Sequence, residues 1–262
     1  MKVAILYICT GRYNQFFKGF YESCERNFLP NSNKEYFVWT DDDGLAEGRG
    51  NVYIYHKECA GFPADSLFRF EMFLQAEKEL REFDYIYFLN SNAAIIKPVG
   101  GEILPDESGL AMGRWPGKRM TQHPMFYPYE RNKHSLAYIA PGGKNYIYFM
   151  GGFNGGTSDA YLTMIRVLSK NIREDYTKGI IACVHDESHI NKYLRSHPCK
   201  VLGPLYTTPE EYTYKHLDYE PYIIFRDKVK VDPYFNKGRN RSQWGQFCKG
   251  VRILKRALKW YL

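Results

Sequence analysis

Residues 85–92, YIYFLNSN, change character in one step. Tyr85–Leu89 is a run of aromatic and aliphatic side chains suited to a buried strand. Asn90-Ser91-Asn92 ends it with short polar residues that favour a turn. Upstream, residues 64–83 place Leu67, Phe70, Leu74 and Leu80 on one side of a helix, with Asp65 or Ser66 as its N-cap. Val3–Cys9, Tyr36–Thr40 and Asn51–Tyr55 read as earlier strands, and Asn14–Asn27 as a helix with Phe16, Phe17, Phe20 and Tyr21 at helical spacing. Strand, helix, strand, strand, helix, strand predicts an α/β core with a mostly parallel sheet. Ligands of such sheets collect at the carboxyl ends of strands, so the asparagine turn stands at a ligand position.

After residue 100 the pattern is less regular. Residues 113–132, GRWPGKRMTQHPMFYPYERN, read as loops around a binding surface. Residues 146–172 read as a strand, a double-glycine turn and a helix starting near Thr157 or Ser158, and a further helix follows Asp186. No repeat or low-complexity linker divides the chain.

The chain has 262 residues, enough for one large domain or two small ones. Its charge of +7 is unevenly placed: from Arg226 onward there are eleven Lys and Arg against two Asp. A near-neutral body with a basic tail excludes a protein-wide nucleic-acid surface and favours a local anion, a phosphate or an acidic lipid. Six scattered cysteines with no C-x-x-C pair exclude a zinc framework and suit free thiols in a reducing cytosol. The apolar run Val3–Cys9 leads into Gly11-Arg12-Tyr13-Asn14 rather than a cleavage site, and no stretch reaches the length of a membrane span.

Four segments could carry chemistry. Gly151–Gly156, GGFNGG, would let backbone approach a ligand and permits positive φ, or it is a wide turn. His185–His189, HDESH, sets two histidines at i and i+4, a zinc-like spacing that lacks a third ligand; Glu187 facing a reaction centre is the preferred reading. Thr40–Gly44, TDDDG, is a hard-cation loop or a solvated turn. Asn90 and Asn92 are weak ligands for a dication because charge count drives that affinity. A diphosphate bound there would need Arg69 or the basic stretch 226–241 to neutralise it.

Taken together, SLFRFEM (66–72), NSN (90–92), YERNKHSLAYI (129–139), YFMGGFNGG (148–156) and HDESHINKYL (185–194) resemble, in order, glycosyltransferase family 6, the family of the histo-blood-group A and B transferases. The resemblance runs over roughly residues 36–206. It implies a GT-A fold, a Rossmann-like mostly parallel sheet flanked by helices in a single domain, here 1–246; residues 247–262 read separately, from their spacing, as a basic amphipathic C-terminal helix. The resemblance also implies retaining transfer of galactose or N-acetylgalactosamine from a UDP-sugar to form an α1,3 bond. Ile8, Cys9, Thr10 and Tyr13 fall where the family holds uridine. Arg69 falls at a contact to the donor sugar and the metal-motif loop, Asp186 at a donor-sugar contact, and Glu187 at the nucleophile or stabiliser of the transition state. Met150 and Gly152 fall at the two donor-selecting positions. Met150 is the galactose type there, and Gly152 leaves room for an N-acetyl group, so UDP-GalNAc is expected over UDP-galactose. Tyr129 and Val184 fall on the acceptor side.

Three departures from the family pattern matter. Asn90 and Asn92 replace the Asp-x-Asp metal motif, as in a metal-independent bacterial branch, so no cofactor is expected and Lys228 and Lys230 are expected to replace the cation's charge. Val184 replaces a tryptophan, and the later acidic position is not recognisable in LYTTPEEY (205–212). The expected activity is α1,3-N-acetylgalactosaminyl transfer to a fucosylated galactose, with galactosyl transfer or a non-catalytic carbohydrate-binding protein as alternatives. No nucleic-acid partner is expected, and a cytoplasmic setting is. In the tail, Val251, Leu254, Leu258 and Tyr261 alternate with Lys255, Arg256 and Lys259, either as a helix on an anionic membrane or as one docked on the protein's own core.

Overall fold

A computed structural model of the chain describes residues 1–116, 123–213, 217–236, 243–258 and 260–261. In chain order it runs β1 (Lys2–Ile8), α1 (Phe17–Asn27), β2 (Asn33–Thr40), β3 (Val52–His56), α2 (Ala64–Leu67), α3 (Arg69–Gln75), α4 (Glu77–Leu80), β4 (Tyr85–Leu89), β5 (Ala93–Ile95) and β6 (Leu110–Arg114). It continues with β7 (Phe149–Thr157), α5 (Ser158–Thr177), α6 (His185–Tyr193), β8 (Lys200–Leu202), β9 (Thr208–Pro209), β10 (Ile223–Phe225), α7 (Lys228–Val231) and α8 (Gln243–Leu258).

Seven strands form one sheet in the order β3-β2-β1-β4-β7-β6-β8. Pairings β1–β2, β1–β4, β2–β3 and β6–β8 are parallel, whereas β7 runs antiparallel to both its neighbours. The sheet is thus mostly parallel and flanked by helices, a GT-A-like architecture. Strand alternation explains its apolar content. Val3, Ile5 and Tyr7 enter one buried cluster with Phe17 and Phe20 of α1, while Ala4 and Leu6 enter another with Phe70 and Phe73 of α3 and Ile165 of α5. Both faces are covered, so β1 is a continuous apolar run. A small second sheet, β5-β10-β9, ties the tail back to the residues after the asparagine turn.

Three expectations need correction. The single helix over 64–83 is three short ones, interrupted at Phe68 and Ala76, whose ψ angles of 16° and 17° leave the helical range. Its N-cap is Pro63, not Asp65 or Ser66. Asp65 instead accepts from the Gly61 amide (2.9 Å) and the Thr10 hydroxyl (3.0 Å), fastening the loop before α2 to the end of β1. The double-glycine segment is no turn: β7 passes through all four glycines, none of which has positive φ. Their small size is needed because a Cβ on Gly155 would lie 2.2 Å from Tyr87 Cδ1, and one on Gly156 2.4 Å from the Gly109 carbonyl.

Candidate active site

The carboxyl ends of β1 and β4 open onto two adjoining cavities of about 410 Å³ each. Ile8, Thr10, Arg69 and Ser91 line the first, and Asn92, Trp115, Met150, Glu211 and Tyr212 the second. Tyr13, Phe62, Asn90 and Lys228 line both and form the wall between them.

The asparagine turn is fixed from three directions. The Tyr7 hydroxyl donates to the Ser91 carbonyl (2.9 Å), and the Asn90 amide to the Gly152 carbonyl (2.9 Å). Asn92 Nδ2 donates to the Arg226 carbonyl (2.7 Å), while the Arg226 amide donates to the Asn92 carbonyl (2.8 Å). Asn92 is therefore a staple between the turn and the tail, buried, with its Oδ1 lacking a hydrogen-bond partner. Two neutral amides bring no charge to a hard dication, which weakens any hold on one. Among the described residues, no three His, Cys, Asp or Glu side chains gather to hold a metal ion.

Lysine and arginine carry the positive charge on the cavity walls. Lys228 opens α7, a single turn whose N-cap Asp227 accepts from the Val229 amide (3.1 Å). Its ammonium lies 4.7 Å from the centre of the Tyr13 ring. Lys230 is exposed and lies on neither cavity wall. Arg69 is buried, with its guanidinium 2.6 Å from Asp186 and 4.5 Å from the centre of the Phe88 ring. Its Nε has no hydrogen-bond partner. Burial raises the Asp186 pKa, and Arg69 opposes that shift.

Glu187, in the first turn of α6, sits behind Gly151 and lines neither cavity. The Gly151 amide donates to Oε2 (2.6 Å) and the Tyr148 hydroxyl to Oε1. A Cβ at position 151 would lie 3.1 Å from Arg69 Nη2 and 3.3 Å from Glu187 Oε2, so glycine there permits the close approach of both. Burial pushes the Glu187 pKa up to about 7, against the pull of the two donors. Such a carboxyl changes charge near neutrality, as acid–base or nucleophilic work requires. The helix enters through His185 at φ 52°, a left-handed conformation uncommon outside glycine.

Other expected residues fall away from the cavities. Cys9 is fully buried in the core under β1, where burial pushes its thiol up to about 12. Tyr129 is buried in an aromatic cluster with Tyr127, Tyr148 and Trp260, and its hydroxyl donates to the Ile147 carbonyl (2.8 Å), so it presents nothing to an acceptor. Val184 is half-buried at the start of α6 and lines neither cavity. The two histidines do not converge on zinc: His189 is buried beside Asp175 with its pKa pushed down to about 4 by burial, while His185 meets the edge of the Phe62 ring. The aspartates of 41–43 are a turn, with Asp41 accepting from the Gly11 amide (2.9 Å) and Asp42 from Gly44 (3.1 Å). Of the basic stretch 226–241, residues 237–241 lie outside the described residues, as does Lys259.

Sequence reasoning missed Tyr148, Phe62, Trp115, Glu211 and Tyr212. Tyr148 stands two residues before Met150 in the same strand run, which was the available signal. Phe62 and Trp115 stand in Pro- and Gly-rich loops with no periodicity to read.

The sequence profile of glycosyltransferase family 6 matches residues 1–217. The chain is 35% identical over 237 residues to the O-antigen biosynthesis glycosyltransferase WbnI of Escherichia coli, covering 90% of this chain and 99% of that protein. It is 28% identical over 215 residues to globoside alpha-1,3-N-acetylgalactosaminyltransferase 1 of Gallus gallus, and 32% over 211 to histo-blood group ABO system transferase 1 of Rattus norvegicus. These matches cover 79% and 74% of this chain, and 61% and 57% of the animal proteins.

Proposed function

We propose, since the chain belongs to glycosyltransferase family 6 and is a glycosyltransferase, that it moves N-acetylgalactosamine from UDP-GalNAc to a fucosylated galactose with retention and without a metal ion. The observation that carries this reading is the wall shared by the two cavities, to which Asn90 and Lys228 both contribute. A diphosphate placed against that wall would find an ammonium in the role of the cation and a neutral amide to hold its oxygens. The first cavity, at the end of β1, suits the nucleotide, with Ile8, Thr10 and Tyr13 on its wall.

Glu187 is the carboxylate assigned to the anomeric carbon, oriented by Tyr148 and the Gly151 amide and drawn toward its charged form by both. Asp186 and Arg69 hold each other beside it, and Arg69 lines the first cavity, whereas Asp186 is buried behind it and lines neither. Gly152 is the residue the family resemblance ties to an N-acetyl donor, but its missing side chain leaves no open space here. The space its Cβ would take is filled by the ends of Asn90 (2.6 Å) and Met150 (2.9 Å), so an N-acetyl group enters as those ends turn aside. Met150 on the wall of the second cavity favours the galactosyl alternative.

Among the described residues no helix is long and apolar enough to cross a membrane. A cytoplasmic setting and contact with an anionic membrane surface belong to the same proposal.

Transfer from UDP-GalNAc to a fucosyl-galactoside in excess EDTA tests it. Undiminished transfer is expected. Restoration only by added manganese would overturn the metal-free mechanism, and a preference for UDP-galactose would establish the alternative donor. Failure to hydrolyse either UDP-sugar at high enzyme concentration would leave a carbohydrate-binding protein.

A further inference from the structure

The described part of the C-terminal helix has one side that docks on the protein and another that is exposed. One side docks. Ala257 and Trp260 are buried, the Trp260 indole donates to the Ile139 carbonyl (2.7 Å), and Arg131 lies 5.4 Å from the centre of its ring. The other side carries Val251, Leu254, Leu258 and Tyr261, and it is exposed: Leu254, Leu258 and Tyr261 keep 51%, 53% and 55% of their surface open. At about 100° per residue Val251, Leu254 and Leu258 fall on one stripe, with the exposed cations Lys255 and Arg252 along its flank.

From this arrangement we propose that the outward stripe of α8 lies in the surface of an anionic lipid bilayer, Trp260 holding the helix to the body while leucines enter the lipid. The inference rests on the membrane contact in the proposed function and assigns it a face. Charge decides the occupant. After Asp232 the sequence contains no Asp or Glu, and the exposed Arg252 and Lys255 flank the stripe, so that flank complements acidic headgroups. Isologous pairing with a second copy would set Lys255 and Arg252 against their own equivalents, which costs affinity. A tyrosine at the end of the stripe suits the headgroup level of an interface. The helix, 16 residues and about 24 Å long, would lie flat on the surface.

The experiment is co-sedimentation of the full chain with vesicles of mixed phosphatidylcholine and phosphatidylglycerol, and with phosphatidylcholine alone. The intact chain should bind the mixed vesicles at least about ten-fold more tightly. Val251→Ser with Leu254→Ser and Leu258→Ser should lose that binding while keeping transfer to a soluble acceptor. Arg252→Glu with Lys255→Glu, surface changes that leave the dock intact, should also lose it. If the intact chain ignores mixed vesicles, the membrane reading itself fails. If it binds them and either variant binds equally well, the face assigned here is wrong and the membrane reading survives. A concentration-dependent dimer of the intact chain that the triple serine variant dissolves would give the stripe to a second copy and overturn the inference.

Discussion

Tyr148 and the Gly151 amide both donate to the Glu187 carboxylate, and both favour its charged form against burial. If the charged form acts at the anomeric carbon, activity falls as pH drops through about 7. Tyr148→Phe removes one of the two donors, so the acid limb of the pH–rate profile should move to higher pH. Glu187→Gln should lose about 10²–10⁴ in kcat across the whole range. The same carboxyl makes a stability prediction with its own sign. Its folded pKa is raised, so its contribution is fully present below the unfolded value near 4.5 and is lost as pH rises through about 7. Glu187→Gln should therefore melt at a higher temperature than the parent above pH 7, and with little difference near pH 4. At this scale the sequence was legible where a short motif carries the residue: Glu187, Arg69 and Asn90 all stand near the cavities or next to the groups that line them. It was illegible where the partner is distant in the chain. Tyr148 reaches Glu187 across 39 residues, and no local pattern announces a hydroxyl directed at a carboxyl.

Short elements position the cation. α7 has four residues, too few to hold itself, and depends on the Asp227 cap. Asp227 is held in turn through its own amide, which donates to Glu210 (2.6 Å). Asp227→Ala should cost about 1 kcal/mol in stability by urea unfolding and raise KM for the UDP-sugar more than it lowers kcat. Equal loss in both would place Lys228 outside donor binding. Long periodic elements were read well: β4 has the predicted bounds, and α5 starts at Ser158 with Thr157 as its cap, at the place expected. The helix over 64–83 was misread because hydrophobic spacing survives two interruptions that break its hydrogen-bond ladder. β7 was misread because glycine normally signals a turn, whereas here the signal is crowding by neighbouring strands.

At the scale of the molecule, β7 runs against both its neighbours and joins the parallel β1 side of the sheet to β6 and β8. Gly155 is where that join is tightest, with Tyr87 and the Ile86 carbonyl inside the space of a Cβ. Gly155→Ala should destabilise the whole chain by about 3 kcal/mol, seen as a lower denaturant midpoint with an unchanged slope. The α/β class followed from the order of apolar runs, because the central strand β1 is covered on both faces and so is apolar almost throughout. The antiparallel course of β7 did not, since strand direction leaves no mark on periodicity. The site likewise draws on distant parts of the chain: Tyr13 meets Lys228, and Arg12 pairs with Asp232 at 3.0 Å across 220 residues. This long reach sets an order of events on the ribosome. The last strand of the large sheet, β8, ends at Leu202, yet the wall between the cavities lacks its ammonium until residues 226–232 have emerged. Under the role proposed for Lys228, a nascent chain completes the large sheet before it can retain a sugar nucleotide.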